Sequence, residues 1–188
     1  VTYGTLERNG LCWMDRNMGA EQVAQSAYDT QAYGDLFQWG RLDDGHQYRK
    51  SETTSALSYT DDPGHDMFII SSDLPIDWRY PKNDDLWQKP SLINNPCPQG
   101  WRVPSEEELQ AEMESWDTPD INGAFGSTLK WPLSGYRFSF GSLAYEGQWG
   151  IVWTSSAYND YALTLSYGNT AHIGEDGRAA GAAVRCVR

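Results

Sequence analysis
The chain has 188 residues, enough to bury one sizeable core and slightly large for a single domain. Its formal net charge is −12, with 26 acidic against 14 basic side chains, which argues against a nucleic-acid partner because phosphate binding needs a basic surface. No run approaches the roughly 20 apolar residues of a membrane helix, so no membrane insertion is expected. The acidity reads first as a solubility device, with calcium or a cationic ligand as the sharper alternative. Nine Trp, eleven Tyr and 18 Gly predict short strands, many turns and long ordered loops.

Val1 to Leu6 alternates like a strand, Asn9-Gly10 reads as a hairpin turn, and Leu11 to Met14 as the returning strand. Tyr33 to Leu42 offers Leu36, Phe37, Trp39 and Leu42 as the apolar positions of a short amphipathic helix, against the opposition of Gly34 and Gly40. Residues 43–95 have no sustained period but carry Met67, Phe68, Trp78, Tyr80 and Trp87. A disordered linker would not spend such side chains, so this stretch is expected to be a long ordered insert packed on the core. Trp101 to Val103 reads as a strand. Ser105 with Glu108 forms a capping box that starts the best helix, whose apolar face is Leu109, Met113 and Trp116. From Leu129 onward, short strands alternate with Gly turns. The fold class is α+β: a small twisted antiparallel sheet with two helices and long ordered loops, forming one domain over 1–188.

Catalytic motifs are missing: no G-x-S-x-G, P-loop, G-x-G-x-x-G or H-E-x-x-H occurs, so the chain is not expected to be an enzyme. His46, His65 and His172 are scattered through turn-rich sequence. No cofactor is expected, with calcium kept as an alternative on the loop carboxylates Asp61, Asp62, Asp66, Asp84 and Asp85. Of three cysteines, Cys97 and Cys186 flank strand-like framework and are expected to form a disulfide with Cys12 unpaired; two buried thiols are the alternative.

A series of short motifs comes in order along the chain. It runs Tyr3-Gly-Thr5, Cys12-Trp-Met14, Leu36-Phe-Gln-Trp-Gly-Arg41, Pro63-Gly-His65, Asp77-Trp-Arg79, Asn83-Asp-Asp-Leu-Trp87 and Asn94-Asn-Pro-Cys-Pro-Gln-Gly-Trp-Arg-Val-Pro-Ser105. It continues with Gly135-Tyr-Arg137, Gly141-Ser-Leu143, Trp153-Thr-Ser-Ser156 and Val184-Arg-Cys-Val187. The series resembles the Fibrobacter succinogenes major paralogous domain over nearly the whole chain. That resemblance implies a C-type-lectin-like fold with close termini. It also implies an extracellular, cell-surface or virion-surface protein, and adhesion to a protein or cell-surface ligand, including phage or viral receptor binding. Some members of the wider fold group are variable proteins of diversity-generating retroelements, in which codons near the C-terminus are mutagenised.

One pattern fits that last implication. Residues 135–188 keep a framework (Gly135, Tyr136, Arg137, Trp153, Val184, Cys186) between residues of mixed chemistry. Phe138, Phe140, Tyr145, Trp149, Tyr158, Asp160, Tyr161, Tyr167, His172 and Glu175 are the candidate ligand-binding residues, expected to share one solvent-facing surface. Aromatic members would anchor a partner, and the carboxylates would set charge preference at the rim. A structural or adhesive surface domain with no single potent ligand is the alternative function. Departures from related patterns are clear: no Glu-Pro-Asn or Gln-Pro-Asp stands here, and Tyr158-Asn-Asp160 has Tyr where a calcium-dependent sugar-binding lectin would carry Trp. No close Cys pair of the kind used by formylglycine-generating enzymes is present.

Overall fold
The computed structural model describes residues 2–188 and is α+β, mostly sheet. β1 (Thr5–Arg8) and β2 (Leu11–Met14) form an antiparallel hairpin, with Leu6 opposite Trp13. Asn9 and Gly10 have φ of 51° and 74°, the left-handed pair that a two-residue hairpin turn requires. Val1, where the strand was expected to begin, lies outside the described residues. The last residues extend this ribbon: Val187 bridges Trp13 in antiparallel fashion, and Cys12 and Arg188 exchange backbone hydrogen bonds.

The helix expected at Tyr33–Leu42 does not form. The segment contributes only β3 (Phe37–Gln38) between turns. Gly34 and Gly40 take φ of 71° and 79°, outside the helical region. Every residue from Leu36 to Arg41 is buried, so the segment lacks the solvent face that an amphipathic helix presents.

Residues 43–95 are an ordered excursion. β4 (Thr53–Thr54) and β5 (Phe68–Ile69) pair in parallel. Phe68, Ile69, Trp78, Leu86 and Trp87 are fully or nearly fully buried, and all but Phe68 join a cluster with Trp39 and Trp153.

α1 (Glu106–Glu114) carries the expected capping box between Ser105 and Glu108. Its buried Glu112 accepts from Arg8, Asn9, Trp116, Ser127 and Trp131, tying the helix to the N-terminal hairpin and to the chain after α2. α2 (Ile121–Gly126) is the second helix in place of the expected one, N-capped by Asp120. Its six residues include two glycines, which hid any helical period. β6 (Tyr136–Arg137), β7 (Leu143–Ala144), β8 (Gly150–Tyr158), β9 (Tyr161–Tyr167), β10 (Ala171–Gly177) and β11 (Gly181–Ala182) complete the chain. They make an antiparallel sheet β8-β9-β10 and a four-stranded sheet in the order β3-β11-β6-β7.

Trp13, Trp39, Leu109, Trp116, Trp153 and Val184 are core residues as expected, whereas Trp101 and Met113 are only partly buried. Cys97 and Cys186 are disulfide-bonded and Cys12 is free. Four arginines, Arg41, Arg137, Arg178 and Arg185, are buried. Their guanidinium groups feed loop carbonyls: Arg41 donates to the oxygens of His65 and Met67, and Arg178 to those of Tyr161, Asn83 and Asn159. Five rigid donors on one side chain satisfy several irregular backbone acceptors at once.

Candidate functional site
The β6–β7 connection builds an aromatic group. Phe138 N–H donates to Ser142 O and Gly141 N–H to Phe138 O, closing a tight loop. Arg137 braces the loop from below, donating to Gly141 O and to both the hydroxyl and the carbonyl of Ser51. Phe140 is thereby held outside, 58% exposed. Its ring stacks on Phe138 at 4.7 Å and 14°, and Phe138 meets Tyr136 and Tyr145 edge-on. Tyr145 is exposed and sits at φ 61°, a left-handed conformation that Asn tolerates better than Tyr. One turn later Trp149, whose N–H donates to Tyr145 O, packs against Gly168 and meets His172 edge-on at 6.5 Å.

Strand alternation decides which of the other candidates join this group. His172 stands opposite Ser166, and Asp176 opposite Ala162. Tyr136 donates its hydroxyl to Asp176 at 2.5 Å, which places this face of β10 beside the aromatic group. Burial pushes the Asp176 carboxyl up, against the pull of that hydrogen bond. Glu175 has the other parity, opposite Leu163, and lies in a recess with Glu106 and Tyr158 on the α1 side. Tyr158 and Asp160 occupy the tip of the β8–β9 hairpin, where Lys82 reaches Asp160 at 3.5 Å. Tyr161 is partly buried, and its carbonyl accepts from Arg178.

Tyr167 is a correction. It is wholly buried, donates to Pro132 O, and packs edge-on against Trp116 and Trp131. It shares its parity on β9 with Leu165, which faces the same inner cluster. The candidates therefore do not form one surface. Phe138, Phe140 and Tyr145 form one group, and Trp149 and His172 a pair linked to it through the backbone; Tyr158, Asp160 and Tyr161 lie at the hairpin, and Tyr158 shares the helix-side recess with Glu175.

The structure adds residues that the sequence did not single out. Phe140 borders a groove of about 330 Å³ whose other walls come from the excursion: Leu57, Ile70, Leu74, Pro75, Asp77 and Tyr80. Leu74 and Tyr80 are exposed, while burial pushes the Asp77 carboxyl up to about 6. The Asp77-Trp-Arg79 motif was the available signal, but nothing local tied it to Phe140.

The loop carboxylates weighed for calcium are mostly engaged. Asp61 pairs with Arg79, Asp84 with Arg178 and Lys82, and Asp62 accepts from Gly64 N–H. Among the described residues no group of three or more His, Cys, Asp or Glu is placed to hold a metal ion. Nor is any helix among them long and apolar enough to cross a membrane. No protein-family model matches the chain, and no curated protein or solved structure is significantly similar to it.

Proposed function
We propose that the chain is a binding module, not an enzyme, which grips a protein or cell-surface ligand through Phe138, Phe140, Tyr145, Trp149 and His172. The reading takes the scaffold to be C-type-lectin-like and related to the Fibrobacter succinogenes major paralogous domain, displayed outside the cell or on a virion. The carrying observation is the exposed Phe140 stacked on the partly buried Phe138, with exposed Tyr145 beside them, on a loop that Arg137 braces. Exposed rings in one cluster are unfavourable unless a partner covers them. Aromatic side chains also give large contact area at low rotamer cost. The disulfide supports an oxidising compartment.

The alternation of framework and mixed-chemistry residues over 135–188 lends support to diversification as well. The flanking DNA tests this part: a reverse-transcriptase gene and an imperfect repeat of the 3′ end are expected, and their absence removes diversification from the proposal.

The binding reading is tested on arrays of cell-surface proteins and glycans, comparing the wild type with the double variant Tyr145→Asn/His172→Ala. Binding by the wild type and a loss of about tenfold or more in the variant, at unchanged unfolding temperature, is expected of anchor residues. Equal binding by the two proteins would overturn the face. No binding by either would put a structural or adhesive domain in its place.

A further inference from the structure
We propose that the groove beneath Phe140 receives a lysine or arginine side chain presented by a protein partner. The inference rests on the binding-module reading, with which it shares Phe140, and adds the chemistry of what is bound. Leu57, Ile70, Leu74 and Pro75 line a slot that suits an aliphatic stem. At its floor Asp77 is only 3% exposed. One carboxylate oxygen accepts from Arg79 N–H at 3.1 Å. The other is in a buried ion pair with Arg178 Nη1 at 3.8 Å, longer than a hydrogen bond, so that contact does not fill its acceptor capacity. Arg79 also lines the groove, and its Nε lies 2.8 Å from Asp61, which shares its charge. Asp73 adds a second carboxylate at the exposed rim, with no hydrogen bond or ion pair among the described residues.

An apolar slot that ends in a desolvated carboxylate is complementary to a long hydrocarbon chain that ends in a cation. The attraction is also stronger there than in open water. The whole surface favours such a partner. Arg41, Arg137, Arg178 and Arg185 are buried, whereas Asp77 and Glu112 are the only buried carboxylates among the described residues. The solvent-facing charge is therefore more negative than the net −12 of the chain. A protein-borne cation, not a free amine, fits the setting, because the slot opens beside the Phe138–Phe140–Tyr145 rings, which offer contact area for the flanking residues of a partner.

The test is an NMR titration of the full chain with three blocked tripeptides, centred on lysine, arginine and norleucine. The basic peptides are expected to shift the amide signals of Leu74, Asp77 and Phe140, and to bind about tenfold more tightly than the norleucine peptide, as a desolvated charge pair implies. Asp77→Asn should weaken them about tenfold. Because Asp77 also faces Arg178, Asp73→Asn serves as the variant that leaves the interior untouched, with an expected loss of about threefold for a rim charge. Equal binding of the norleucine peptide, no shift with any peptide, or unchanged binding in both variants would overturn the proposal. So would 1,4-diaminobutane binding as tightly as the basic peptides, since the ligand would then be a free amine. The titration does not involve Tyr145 or His172. Peptide uptake with array binding insensitive to Tyr145→Asn/His172→Ala keeps the groove and discards the wider face; the reverse pattern discards the groove.

Discussion
Strands β8 to β10 and residues 43–95 pack onto the same tryptophans, Trp39 and Trp153, by different means. The strands form a ladder in which each residue finds its partner by register, from Ala171↔Tyr167 to Gly177↔Tyr161 on one side of β9. The excursion has one two-residue parallel pair and two isolated bridges, Ser58↔Arg79 and Leu86↔Ile93, in otherwise irregular backbone. Side-chain bonds to distant residues tie it down: Arg178 donates to Asn83 O, and Trp78 donates its indole N–H to Trp39 O. A ladder spreads its stabilisation over many equivalent bonds, whereas the excursion concentrates it in a few buried donors. Damage to a single donor should therefore act locally in the excursion and globally in the sheet.

Trp153→Ala strikes the shared centre and should cost about 3–5 kcal/mol in denaturant unfolding, with both regions lost together. A loss below about 1 kcal/mol would show that Trp153 is not a common anchor. Arg178→Met should cost about 3 kcal/mol by stranding Asp77 and the loop carbonyls. Hydrogen exchange should then accelerate at residues 77–86 before it does in β8–β10; uniform acceleration would erase the contrast.

Acid sets buried groups of the excursion and its flank against one another. Burial pushes His46 down to about 4; its Nε2 accepts from Gln38 N–H, and its Nδ1 lies 2.6 Å from Asp44. The unfolded chain protonates this ring from about pH 6.5, so the folded state loses stability as pH falls from there to 4, by roughly 3 kcal/mol in full. Asp35 and Asp77, both pushed up to about 6 by burial, act in the opposite sense, since the folded state takes their protons first. Wild-type stability should thus change little between pH 7 and 5. His46→Gln, which keeps a donor and an acceptor, should gain about 1–2 kcal/mol over that interval. A flat profile in the variant would refute the opposition. The smallest effect belongs to Tyr145→Asn, expected to move stability by less than about 0.5 kcal/mol because the ring is exposed and Asn suits the backbone. A larger loss would make Tyr145 a packing residue.

The same contrast explains what could be read from the chain. The Asn9-Gly10 hairpin, the Ser105/Glu108 cap, β8 and β9 announce themselves through period and local chemistry. β10 escaped notice because Gly174 and Gly177 interrupt it and its exposed members are polar. The segment Tyr33–Leu42 misled because burial on every side imitates a helical stripe when only its apolar residues are counted. Tyr167 was assigned to the surface as one of a run of tyrosines, although its alternation with Leu165 already placed it inside. The ring cluster Phe138–Phe140–Tyr145 and the pair Trp149–His172 were visible in composition. The groove beside them was not, because Phe140 and Leu74 are joined only by tertiary packing.

The Cys97–Cys186 bond has a consequence under tension. Its two cysteines are 89 positions apart, and Cys186 stands two residues from the end. A pull on the described ends enters at Arg188, crosses the sulfurs at Cys186 and continues from Cys97 toward Thr2. The intervening polypeptide, with α1, the β8–β10 ladder and Phe140, carries none of that load while the bond is intact. Residues 186–188 run antiparallel to β2, so the force must first slide one segment along the other, loading their hydrogen bonds together and not peeling them singly. Under such an end-to-end pull the segment between the two cysteines, with its rings, is spared, and the excursion before Cys97 takes the load.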